Sequence, residues 1–236
     1  NFDDRPNSST LGPLWSKVSG NDFSIQNGEA RNATGAAMNI STVSGFSLAD
    51  GSVKASFAST SNNGSPRFGV VLRYQNAQNY YLFYRQTGGT SQLRIAKIVG
   101  GVETILKSVP IENPALNTFF VIEGRITGSI LSLWFNGIEK LSVADASFTS
   151  GGVGILVGPI QMPYSIASQR VDNFLAVASG TQPPAAPTVT ISANPISVTA
   201  GSTATLTWSS TNATSCAASG SWLGAKALSG SQSTGS

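Results

Sequence analysis

The stretch "RFGVVLRYQNAQNYYLFYRQTGGTSQLRIAKIVGGVETILKSVP", residues 67 to 110, is a succession of short β-branched and aromatic runs divided by Asn, Gln, Gly and Thr. Long helical periodicity is missing from the whole chain. Runs of this length between turn residues form antiparallel strands, so the chain is confined to the all-β class, as a sandwich or barrel. Further runs of the same kind are "SVKASFAS", "TFFVIEGRI" and "ILSLWFNGIEKLSVAD". The last reads as a hairpin, because Asn136-Gly137 supplies the two positive-φ positions of a tight type I′ turn. Alternation in "FFVIEGRI" places Phe120, Ile122 and Ile126 on one face, and Glu123 with Arg125 on the other as a solvated ion pair.

Composition changes abruptly at "SGTQPPAAP", where Pro and Ala replace the aromatic pattern and predict a stiff connector. Three segments follow: a β domain over residues 1–178, a Pro/Ala-rich linker over 179–187, and a second β unit over 188–236. The second unit has strand alternation and a Trp208 to Cys216 spacing, but too few residues for a sandwich of about seven strands. It is expected to be incomplete.

Charged residues make up 11% of the 236, well under the roughly 25% of an average soluble domain, and histidine is absent. The absence of histidine excludes Ser-His-Asp and Cys-His catalysis and His-bearing zinc sites. The net charge of +3 arises from 14 basic and 11 acidic residues scattered without a run, so neither a nucleic-acid stripe nor a polybasic membrane patch is predicted. No apolar stretch reaches membrane-spanning length. A start at Asn1 and a single Cys with two Met predict a secreted or surface-displayed mature chain.

Residues 1–178 resemble the concanavalin A-like, laminin-G-like jelly-roll domains of bacterial extracellular proteins. The segments that carry the resemblance are "FDDRPNSSTLGPLW", "FSIQNGEARN", "RFGVVLRYQNAQNYYLFYRQ", "LRIAKIVGGVETIL" and "FTSGGVGILV" leading to "VDNFLAV". Residues 187–236, through "PTVTISANPISVTAGSTATLTWSSTNATSCAASGSW", resemble the opening half of a bacterial immunoglobulin-like repeat. The fold implied is an antiparallel jelly-roll sandwich followed by a partial immunoglobulin-like β domain. That second resemblance implies a structural partner for Cys216 on a later strand.

Sugar binding needs aromatic faces for C–H groups and planar donors or amides for hydroxyls. "LRYQNAQNYYLFYRQ" supplies both, and the candidate ligand-binding residues are Arg73, Gln75, Tyr81, Tyr84 and Arg85. Strand parity pairs Tyr81 with Arg85, or Tyr80 with Tyr84, and one set must be core. The resemblance implies packing roles for Arg73 and Tyr81, which stands beside ligand contact as the other reading. Arg94 and Trp134 are weaker additions, and Trp15 and Trp208 read as core. The resemblance also implies a structural calcium where the first and last jelly-roll strands meet, with Asp3, Asp4 and Asp172 as its ligands; hard oxygen donors suffice for that ion. Sequons stand at Asn7, Asn32, Asn39 and Asn212 and matter only in a glycosylating host.

Glycoside hydrolysis needs two opposed carboxyl groups, and no such motif is legible. The expectation is a non-catalytic, lectin-like carbohydrate-binding module used for adhesion or targeting. Its rival is a structural subunit of an extracellular fibre, self-assembling by strand exchange through the incomplete second domain. A polysaccharide-degrading enzyme is the weaker third reading.

Overall fold

Each of the runs singled out above becomes a strand in the computed structural model, which describes residues 2, 5–32, 38–59, 65–88, 90–158, 169–179, 187–211 and 213–235. Contacts divide the chain into two units, Asn1–Ser179 and Gly180–Ser236. Residues 180–186 of the expected linker lie outside the described residues.

The first unit holds β1 (Trp15–Ser19), β2 (Phe23–Gln26), β3 (Glu29–Asn32), β4 (Asn39–Leu48), β5 (Gly51–Ser59), β6 (Arg67–Asn76) and β7 (Asn79–Gln86). It continues with β8 (Gln92–Val99), β9 (Val102–Pro110), β10 (Phe120–Thr127), β11 (Ile130–Phe135), β12 (Ile138–Ala144), β13 (Gly151–Gly158) and β14 (Gln169–Ala178). These form two seven-stranded sheets, ordered β1-β4-β13-β6-β7-β8-β9 and β12-β11-β10-β5-β14-β3-β2. All pairings are antiparallel, and the two sheets face each other as a jelly-roll sandwich.

Side-chain alternation sorts each strand between two environments. Phe68, Val70 and Leu72 of β6, Tyr81 and Phe83 of β7, and Leu93 and Ile95 of β8 enter the large core shared with Val53, Phe57, Ile122 and Leu133 of the other sheet. The intervening residues Val71, Tyr80, Leu82, Tyr84, Ala96 and Ile98 form a second apolar cluster with Ile40 and Leu156, confined to the first sheet and so on its outer face. The sheets pack tightly at Gly124, where an added Cβ would lie 2.8 Å from the Phe83 ring and 2.9 Å from Leu72 Cδ1.

The Asn136-Gly137 turn has φ of 49° and 80° and joins Phe135 to Ile138, the two-residue hairpin that these residue types favour. Glu123 and Arg125 pair on the solvated face of β10, with Nε–Oε1 at 2.8 Å. Three buried amides are linked in a chain. Asn39 donates to Asn32 Oδ1, Asn32 donates to Gln169 Oε1 at 3.2 Å, and all three residues are at most 2% exposed. The sequon asparagines Asn32 and Asn39 are thereby enclosed, with their amide nitrogens engaged.

The second unit holds β15 (Thr188–Asn194), β16 (Thr205–Thr211), β17 (Cys216–Ala218), β18 (Gly224–Lys226) and β19 (Ser229–Ser233). They form a sheet ordered β15-β16-β19 and a two-stranded ladder of β17 with β18. One face of the larger sheet carries Val189, Ile191, Leu206 and Trp208; the other carries Thr190, Ser192, Thr207 and Ser209. Trp208, which reads as core in the sequence, is 7% exposed. The Trp222 ring meets it edge-on at 4.8 Å, and the Trp208 indole N–H donates to Ala227 O at 2.9 Å. Val189 and Ile191 on the same face remain 62% and 58% exposed. Cys216 is a free, half-buried thiol.

Candidate functional site

The structure separates the residues that the sequence grouped. Strand parity sends Tyr81 and Arg85 into the sandwich and Tyr84 to the outer face of the sheet. Tyr81 donates to Asp145 Oδ1 at 2.6 Å and stands edge-on to Phe148. Burial would raise the Asp145 carboxyl, but hydrogen bonds from Lys97, Ser147 and Tyr81 hold it well below the usual carboxylate range. Arg85, 1% exposed, lies over the Phe120 ring and donates to Ser91 Oγ at 3.2 Å and Asn113 Oδ1 at 2.6 Å.

Arg73 departs from parity for a local reason. A register shift between Leu72 and Asn76 and a φ of 49° at Arg73 turn its side chain off the outer face, as bulges do. Its guanidinium then donates to Ala49 O at 2.8 Å, Phe148 O at 2.6 Å and Gly128 O at 2.8 Å, and pairs with Asp50 Oδ1 at 3.2 Å. These partners are loop carbonyls from both sheets, so Arg73 ties one end of the sandwich shut. Gln75 is exposed and donates to Ser150 O. Four of the five expected contact residues, Arg73, Tyr81, Tyr84 and Arg85, are at most 2% exposed, and hence support a surface without forming it.

The surface they support is the outer face of β6 to β9. Arg67 lies over the Tyr84 ring at 5.0 Å and pairs with Glu103 Oε2 at 2.8 Å, while Tyr84 donates to Glu103 Oε1 at 2.5 Å. Arg67, Tyr84 and Glu103 sit on β6, β7 and β9, so their side chains form a strut across the sheet. Beside the strut, Arg94 Nη1 donates to Gln86 Oε1 at 2.6 Å, and its Nε and Nη2 donate to Gln92 Oε1 at 3.0 and 2.8 Å. Gln92 pairs across the ladder with Pro110, which lines a pocket of about 420 Å³ together with Thr90, Ser91, Ile111, Glu112 and Asn113. Arg67, Gln86, Gln92, Arg94 and Glu103 are all half-buried, which leaves a preoriented polar surface with solvent access.

Glu103, Gln86 and Gln92 were not singled out from the sequence. Gln92 and Arg94 share a face by simple alternation, but Glu103 joins them only through the sheet order. Trp134, the other aromatic candidate, already stacks on Arg125 at 3.8 Å on the outer face of the second sheet.

Asp3 and Asp4 of the expected calcium site lie outside the described residues. Asp172 falls within β14, not at its end, beside a bulge where Asn173 has φ of 52°. Its Oδ1 is buried with no hydrogen-bond partner among the described residues. The start of the chain is close by: Phe2 packs on Trp15 at 6.0 Å, and Trp15 packs on Phe174 at 4.9 Å. Among the described residues no three His, Cys, Asp or Glu side chains gather as a metal site.

The arrangement of the two sheets recurs in solved structures. The carbohydrate binding module CBM66 from Bacillus subtilis superposes with a TM-score of 0.56 at 15% identity, over 71% of this chain and 97% of that one. The first unit has a concanavalin-like jelly-roll fold. The carbohydrate recognition domain of Emp47p gives a TM-score of 0.57 at 12% identity, over 75% of this chain and 92% of that one. Bacillus licheniformis β-glucanase gives 0.53 at 12% identity, over 76% and 96%. No family model and no curated protein matches the sequence.

Proposed function

We propose that the jelly-roll unit is a non-catalytic, extracellular carbohydrate-binding module that holds its glycan on the outer face of β6 to β9. The observation that carries this reading is the set of planar groups Gln86, Gln92 and Arg94, fixed to one another beside the pocket lined by Ser91, Glu112 and Asn113. Fixed amides and a guanidinium in a half-buried site discriminate hydroxyl positions at low entropic cost. Two proteins of the same fold are a carbohydrate binding module and a carbohydrate recognition domain, which supports the reading. Glu103 is held by Arg67 and Tyr84, which supports the non-catalytic reading, since hydrolysis needs two opposed carboxyl groups. The module serves adhesion or targeting, with the second unit as the opening strands of an immunoglobulin-like repeat. A polysaccharide array probed with the intact chain tests the reading: binding that Gln86→Ala weakens is expected, and an array with no bound polymer overturns it.

A structural calcium remains part of the proposal. Asp172 Oδ1, buried and without a hydrogen-bond partner among the described residues, is the group it would satisfy, with Asp3 or Asp4 completing the oxygen set.

The exposed Val189 and Ile191 favour a second reading, in which the second unit associates with another copy of the chain to form a fibre. Sedimentation that depends on concentration, and that Ile191→Ser abolishes, is its signature; a monomer at all concentrations rules it out.

A further inference from the structure

Arg94 is held as an ion-pair partner would hold it, but by neutral atoms. Its Nε and Nη2 both donate to Gln92 Oε1, at 3.0 and 2.8 Å. This is the fork that an arginine normally offers to the two oxygens of a carboxylate. Its Nη1 meets a second amide oxygen, that of Gln86, at 2.6 Å. Among the described residues no carboxylate pairs with Arg94, whereas Arg67 beside it is neutralised by Glu103.

The charge beneath it is uncompensated in the same way. Arg85, on the other face of the same sheet and in register with Leu93, is buried over the Phe120 ring, and among the described residues its hydrogen-bond partners are the neutral Ser91 and Asn113. Its Nε has none among the described residues. Ser91 and Asn113 also line the pocket, as does Pro110, the ladder partner of Gln92, so the groups that hold Arg85 and the strand that holds Arg94 meet at this end of the sheet. Glu112 is the carboxylate in that pocket wall, and among the described residues it makes no ion pair with Arg94.

We propose, resting on the glycan reading above, that this site takes a carboxylate-bearing sugar: a uronic acid residue of an acidic polysaccharide whose carboxylate replaces Gln92 Oε1 in the Arg94 fork. The exchange removes a neutral acceptor from a charged donor pair and supplies a charged one. The released Gln92 amide and the groups at Asn113 and Glu112 then face the hydroxyls of the same or the next sugar. A neutral sugar could use the amides, but it would leave the Arg94 charge as it stands.

The test compares binding of polygalacturonate and alginate with that of neutral galactan and mannan and of a sulfated galactan, by isothermal titration at two salt concentrations. The acidic polymers are expected to bind at least tenfold more tightly than the neutral ones, with affinity falling as salt rises. Arg94→Gln should remove that preference. Arg94→Lys, which keeps the charge without the fork, should recover part of it and controls for folding. Gln92→Ala, which empties the fork, should leave polyuronate binding intact or tighten it. Equal binding of acidic and neutral polymers, or a preference for the sulfated galactan, overturns the uronate assignment and leaves the module a carbohydrate binder. Failure of every polymer to bind overturns the carbohydrate reading itself.

Discussion

Tyr84 donates to Glu103 Oε1 at 2.5 Å across the width of β8, and Arg67 closes the same carboxylate from the other side at 2.8 Å. Burial, and next the bond to Glu103, push the Tyr84 phenol up to about 12 from its ordinary 10.0. A phenol that ionises less readily in the folded chain than in the unfolded one adds stability that is complete below about pH 10 and is lost as pH rises through about 12. The melting temperature should therefore fall across that window. Tyr84→Phe should flatten the fall and cost about 1–2 kcal/mol near neutral pH, measured by denaturant titration.

Asp145 behaves in the opposite sense. Its carboxyl is held well below the usual range, so the bonds from Lys97, Ser147 and Tyr81 stabilise the fold above about pH 4 and are lost as the medium becomes strongly acidic. Asp145→Asn should destabilise the protein by about 2–4 kcal/mol at neutral pH and make unfolding less steeply dependent on acid. An unchanged acid transition in that variant would contradict the assignment.

Arg73 is a buried cation whose donors hold three loop carbonyls. Replacement by Ala strands those carbonyls and Asp50, so Arg73→Ala should cost about 3–5 kcal/mol. Arg73→Lys should cost most of that, because an ammonium group does not reach a planar array of acceptors. Thermal melts of both variants check this, and a glycan defect in a variant that melts normally would return Arg73 to the binding surface.

Chelation bears on Asp172. With calcium at its buried Oδ1, removal of the ion should lower the melting temperature of the jelly-roll unit and leave glycan affinity unchanged at temperatures where the unit stays folded. Asp172→Asn should melt low with or without chelator. Identical melts of the parent chain in calcium and in chelator count against the ion.

What could be read in advance follows the range of the interactions. The Asn136-Gly137 hairpin and the alternating faces of β10 depend on neighbours a few residues away, and both stand in the structure as the residue types predict. The choice between the Tyr81/Arg85 and Tyr80/Tyr84 faces needed to know which side the second sheet covers, and strand parity is silent on that. Arg73 moved because of a bulge, an added residue that no alternation pattern records. The strut from Arg67 to Glu103 joins residues 36 apart in sequence through the order β6-β7-β8-β9, so it becomes visible only once the sheet is assembled.

The last strand of the jelly roll, β14, lies inside its sheet between β5 and β3, and not at an edge. A load transmitted through the chain beyond Ala178 would pull along β14. Its partners on β5 run from Ser59 at one end to Gly51 at the other, in register on both sides of the bulge. The ladder would therefore be strained in shear, with its hydrogen bonds stretched together and not opened one at a time like a zip. On the proposed reading, in which the first sheet holds a glycan surface, a tether through the other sheet in this geometry would resist drag.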